Sequence, residues 1–151
     1  MPSQATNYFY TLIAMGAVAF MLTNAFQGHA RGVEVLADGR ALRAVLEQVA
    51  SECTEMVAFT EATGASSRIS LGTPTMIGDR YYWVRLSSDS SGAWVEGGFG
   101  EPWEGATNYR VELPWNVSAS GTFRGGYGTL ALGCSLVDSE PALTLGRWEV
   151  G

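Results

Sequence analysis

The chain has 151 residues, a net charge of -6 and a pI near 4.7, and all nine of its basic residues are arginine. No basic run occurs, which excludes nucleic-acid binding, because phosphate contacts need clustered positive charge. One modest core plus an appendage is what this length supports.

The first thirty residues carry no charge. Tyr8 to Phe26 is an almost unbroken apolar run, close to the roughly 20 residues that cross a bilayer as a helix. A cleaved export signal has a basic start, a shorter apolar stretch and a small-residue cleavage site. The segment Met1–Asn7 has no Lys or Arg, and Gln27-Gly28-His29-Ala30-Arg31 is not such a site, so we read the segment as retained. Its large side chains are Tyr8, Phe9, Leu12, Ile13, Met15, Val18, Phe20, Leu22 and Phe26.

The helical pattern continues past this run. Leu42, Val45, Leu46, Val49, Cys53, Met56 and Val57 recur at three- and four-residue spacings and make one apolar stripe. Val35, Leu42, Val49 and Met56 are also seven apart. Gly64 reads as the C-cap, and Gly28, Gly32 and Gly39 weaken the middle. A helix over residues 7–61 spans about 80 Å at 1.5 Å per residue, too long to pack along a domain of the remaining size. Its all-round apolar first half therefore needs lipid or a bundle of its own kind.

From residue 68 the period changes to two. Arg68–Leu71, Tyr81–Ser87, Ala93–Gly97, Tyr109–Leu113, Gly128–Leu136 and Ala142–Val150 read as strands, separated by Gly, Asp and Ser turns. The expected class is α+β: an N-terminal helix, apolar over 1–32 and amphipathic over 33–64, then an antiparallel sandwich-like (Ig-like) or small-barrel domain over 65–151. Leu42, Val45, Leu46, Val49 and Met56 are expected to pack the helix on that domain.

Chemistry is sparse. His29 is the single histidine, and no Cys or carboxylate cluster has metal-ligand spacing. Nucleotide-binding and nucleophile-elbow motifs are missing from the sequence. Glu101 and Glu104 flank Trp103, which reads as a solvated loop with a packing tryptophan rather than a glycosidase pair. We expect no enzyme, no metal and no cofactor. Trp94, Phe99 and Trp103 lie in a glycine-rich stretch and are the candidates for surface contacts, since Trp and Tyr carry much interface energy. Cys53 lies near the end of the helix stripe and Cys134 lies in a strand. They read as a disulfide stapling helix to sheet in an oxidising space, with two buried thiols as the other reading. The Asn116-Val117-Ser118 sequon is a glycosylation candidate.

An apolar helix running into an amphipathic one (Tyr8 to Val57), then a β domain opening on Ile69-Ser70-Leu71-Gly72-Thr73-Pro74 with a second Leu-Pro at Leu113-Pro114, resembles the type IV pilin superfamily, most of all its archaeal branch. The chain departs from that pattern in having no basic leader residues and no acidic residue before Glu34. The resemblance implies a structural subunit of an extracellular filament, inserted in the membrane before assembly. Such a subunit polymerises with its own kind through Tyr8–Phe26 and serves adhesion or motility at the cell surface. A membrane-anchored minor pilin or stator-like accessory protein, and a single-pass β-domain subunit of a membrane complex, are the alternatives.

Overall fold

A single helix, α1 (Ser3–Thr63), precedes seven strands: β1 (Ser67–Leu71), β2 (Tyr82–Asp89), β3 (Gly92–Phe99), β4 (Tyr109–Glu112), β5 (Ser118–Arg124), β6 (Leu130–Val137) and β7 (Glu140–Arg147). The structure is a computed structural model that describes residues 3–102, 109–114 and 116–148. The chain divides into two units, Met1–Ala37 and Asp38–Gly151.

The first unit is helix alone. Every described residue in it is exposed, including Val33, Val35 and Leu36. Burial on the helix starts with Gly39 and continues through Leu42, Val45, Leu46, Val49, Ala50, Cys53, Met56, Val57 and Thr60. Val35 thus falls outside the buried stripe, although its spacing to Leu42 matches. The helix ends where glycine permits it. The Gly64 N–H donates to the Thr60 carbonyl at 2.8 Å with Gly64 at φ +70°, a left-handed cap.

In the second unit the strands form one sheet in the order β1-β6-β7-β5-β2-β3-β4. All neighbours are antiparallel except β5 and β7, which run parallel from Ser118↔Ala142 to Gly121↔Leu145. The α+β class holds. Its second layer is the helix in place of a second sheet: helix residues Leu42 to Val57 share one hydrophobic cluster with Tyr82, Val84, Val95, Phe123, Leu132 and Leu143. A period-2 pattern reports that one strand face is covered, and either a sheet or a helix satisfies it.

Two glycines set the close approaches. A Cβ on Gly97 of β3 would lie 2.9 Å from Leu46 and 2.8 Å from the Trp83 carbonyl, so the helix rests directly on β3 there. A Cβ on Gly121 would lie 2.0 Å from the Leu145 carbonyl oxygen. That contact is where β5 leaves β7, since its later residues, to Arg124, pair with β2 only. The β6–β7 hairpin turns on Asp138 and Ser139, both at positive φ (54° and 69°), as a two-residue turn of this hand requires.

Strand β5 is absent from the sequence-based assignment. Its sequence, Ser-Ala-Ser-Gly-Thr-Phe-Arg, turns only Ala119 and Phe123 into the core, so its apolar signal is weak.

Candidate functional site

The feature that sets this chain apart is the solvent-facing apolar surface of its first unit. Tyr8, Phe9, Leu12, Ile13, Met15, Val18, Phe20, Leu22 and Phe26 are all exposed, with Tyr8 at 77%, Phe20 at 71% and Phe26 at 72%. Tyr10 and Met21 join them. Burying one large apolar side chain stabilises by about 1.5–3 kcal/mol. The eleven between Tyr8 and Phe26 therefore represent roughly 15–30 kcal/mol of unrealised transfer energy before entropy costs. A patch of that size marks an association surface. The helix is long and apolar enough to cross a membrane.

The polar side chains of the run point the same way. Thr11 Oγ1 donates to the Asn7 carbonyl and Thr23 Oγ1 to the Ala19 carbonyl, both at 2.8 Å, and Asn24 Nδ2 donates to the Phe20 carbonyl at 3.0 Å. Each bond runs back one turn within the helix. A polar group bonded in this way asks little of its surroundings, which suits an apolar environment. Thr11, Ala14, Met15, Val18, Ala19 and Leu22 line a shallow apolar groove on one helix face.

The helix-packing residues Leu42, Val45, Leu46, Val49 and Met56 are buried in the second unit. The aromatic candidates behave differently from an open contact surface. Trp94 is half-buried beneath the Arg110 guanidinium, 3.9 Å from its ring, and Phe99 is half-buried beneath Arg80 at 4.3 Å. Trp103, with Glu104, lies outside the described residues. Glu101 is ion-paired with Arg124, and Arg85 with the buried Glu96 across β2 and β3. Among the described residues of the second unit the exposed aromatics are Phe59 on the helix and Tyr81, Tyr127 and Trp148, which flank strand ends rather than the glycine-rich stretch. Position beside a turn is a weak signal, and strand periodicity carries none of it. Asn116 and Ser118 of the sequon are both exposed. Among the described residues no group of His, Cys, Asp and Glu is arranged to hold a metal ion.

The cysteines correct an expectation. Cys53 and Cys134 are free thiols, both buried, and no disulfide joins them. They serve the helix–sheet core as small apolar side chains, a common use of free cysteine. Sequence pattern placed each on an inward face but contains no distance between the sulfurs. Burial pushes the Cys53 thiol up to about 12, with the Cys134 sulfur and Glu52 adding to the shift. A thiol so raised is a poor nucleophile. We expect neither cysteine to be alkylated in the folded protein near neutral pH, and both to react once it is denatured without reductant. Silence after denaturation would mean an oxidised pair.

The same burial makes stability pH-dependent at the alkaline end. The folded pKa of Cys53 lies above its ordinary value of 9.0. Its contribution is therefore complete below pH 9 and is lost as pH climbs towards about 12, by at most about 1.4 kcal/mol per pH unit. Burial also raises Tyr82, whose hydroxyl donates to the Pro74 carbonyl at 2.6 Å, so it acts in the same direction. Denaturant melts between pH 8 and 11 should show falling stability, and Cys53→Ala should flatten the early part of the fall.

No protein-family model, curated protein or solved structure matches this chain. The functional reading rests on the residues and their geometry.

Proposed function

We propose that this chain is a structural subunit of an extracellular type IV pilus-like filament, held in the membrane by its apolar helix before assembly and polymerising through that helix afterwards. The observation that carries the reading is the exposed apolar surface from Tyr8 to Phe26, with Thr11, Thr23 and Asn24 bonded inward. Lipid satisfies that surface before assembly, and copies of the same helix satisfy it in a polymer. A head-to-tail contact that does not close generates a helical filament. The second unit, with its own core, supplies the outer coat and the surface used in adhesion or motility. No enzymatic step belongs to this reading.

That the helix is long and apolar enough to cross a membrane supports a second reading, a membrane-anchored accessory subunit of the same kind of machinery. Electron microscopy of material sheared from the native cells, with mass spectrometry of the pellet, separates the two. Thin filaments composed mainly of this chain are the expected result. Recovery of the chain in the membrane fraction alone would refute the filament subunit and leave the anchored one.

A further inference from the structure

Between β5 and β6 the chain turns through Gly125-Gly126-Tyr127-Gly128. Gly126 and Gly128 stand at φ +86° and +105°, a region that L side chains rarely adopt. Both glycines are also approached from outside the turn. A Cβ on Gly126 would lie 2.8 Å from the Tyr81 ring, and one on Gly128 would lie 2.9 Å from the Arg147 side chain. The bare backbone lets these two side chains close in. Tyr127, between the two glycines, is left 57% exposed.

That exposed ring has fixed neighbours. The Arg124 guanidinium lies 5.3 Å from its centre, and the Tyr81 ring stands 6.4 Å away, centre to centre, tilted by 42°. Arg124 is itself held by its ion pair with Glu101. Thr122, Phe123, Arg124, Tyr127 and Arg147 line an open concavity of about 410 Å³. Small-ligand sites run from roughly 300 to 1,000 Å³, whereas a stable protein contact needs about 800 Å² of surface from each partner. Phe123 is buried, so Tyr127 supplies the aromatic surface of the concavity. No net charge is on offer. Arg124 is paired, Arg147 has an interaction of its own, and Asp38 and exposed Asp79 stand at the same end, by Gly78 and the turn before Tyr81.

We propose that the concavity beside Tyr127 binds a neutral carbohydrate, with one sugar ring stacked on the exposed phenol ring. A pyranose has a C–H face that suits an aromatic ring and an edge of hydroxyls that suits the polar walls. Guanidinium N–H groups donate to those hydroxyls, and a guanidinium paired through one nitrogen keeps other donors. The exposed Thr122 hydroxyl both donates and accepts. An ionic ligand would have to displace Glu101 from Arg124, and a neutral one does not. The packed glycine turn fixes the ring before binding, which lowers the ordering cost. This inference rests on the adhesion part of the filament reading and names the chemistry of the surface bound.

The test passes the full-length chain, in a detergent without a sugar headgroup, over immobilised neutral polysaccharides: a glucan, a mannan and chitin. Alginate, gelatin and bare matrix run beside them. Retention on at least one neutral polymer, unaffected by added salt, is the expected result. Tyr127→Ala should weaken it about tenfold or more, and Tyr127→Phe, which keeps the ring, should retain most of it. Both variants should melt with the parent, because the side chain is exposed. No retention above bare matrix, or equal retention of Tyr127→Ala, would overturn the site. Retention on alginate or gelatin in place of the neutral polymers would assign the ring to an anionic or a peptide partner and overturn it too. Filaments whose subunit shows no such retention would sink this site and keep the filament. Retention by a chain that forms no filaments would do the reverse.

Discussion

Ala14→Asp is expected to abolish polymer formation while leaving the second unit folded. Ala14 lines the apolar groove with Thr11, Met15, Val18, Ala19 and Leu22. In the proposed filament core that groove would receive a neighbouring helix, and a carboxylate there would be buried without a partner. An Asp at the centre of a membrane helix costs about 2.5–3.5 kcal/mol on insertion scales. Inside a packed bundle the steric cost of a larger side chain adds to that, typically about 1–3 kcal/mol. The sum lowers each subunit's association by roughly 300-fold or more, at about 1.4 kcal/mol per factor of ten. Sedimentation of sheared material reads the loss directly. The thermal midpoint of the second unit should stay within about 2 °C of the parent, because every described residue of the first unit is exposed and supports none of its core. Wild-type yields of filament from this variant would refute the helix-core assembly.

Gly121→Ala has the largest effect expected on the fold itself. Its Cβ would lie 2.0 Å from the Leu145 carbonyl oxygen and 2.8 Å from the Leu145 nitrogen, all backbone atoms that no rotamer change moves. Gly121 also sits at φ +127°, a conformation that L side chains rarely adopt. The residue pairs with Leu145 on one side and Leu86 on the other, at the one parallel junction of the sheet. That junction links β1-β6-β7 to β5-β2-β3-β4. Relieving the clash means parting β5 from β7 and dividing the sheet. We expect a loss of about 3–5 kcal/mol, the range seen for overpacking joined to backbone strain. For a domain of this size that lowers the midpoint by roughly 12–20 °C. Gly146→Ala is the control: nothing lies within 4 Å of its Cβ, and its midpoint should stay within a few degrees. Equal midpoints for the two variants would refute the account.

Particular elements show where sequence reasoning reached and where it stopped. The helix was legible because a run of apolar residues and a 3.6-residue stripe are local signals, and so was its end at Gly64. Strands β2, β3 and β6 were legible from apolar alternation. Strand β5 was not, because Ser, Gly and Thr alternate without an apolar contrast, and its pairing with β2 and β7 is what makes it a strand. The exposure of the aromatic candidates was not legible for a related reason. Composition marks Trp94 and Phe99 as sticky, but whether an aromatic is open depends on what lies over it, and arginines from β4 and from the turn before β2 cover these two. The turn-flanking Tyr81, Tyr127 and Trp148 are more open.

The sequence by itself determined that this chain carries a charge-free apolar helix continuous with an amphipathic one, followed by a strand-rich domain of one core. Those properties follow from side-chain periodicity and hydropathy, which are set residue by residue. Only the tertiary structure decided that the helix forms the second layer over a single sheet, that β5 and β7 run parallel, and that Cys53 and Cys134 remain free. Each depends on which distant segments meet and at what distance, and a linear pattern specifies which face is apolar without specifying what covers it.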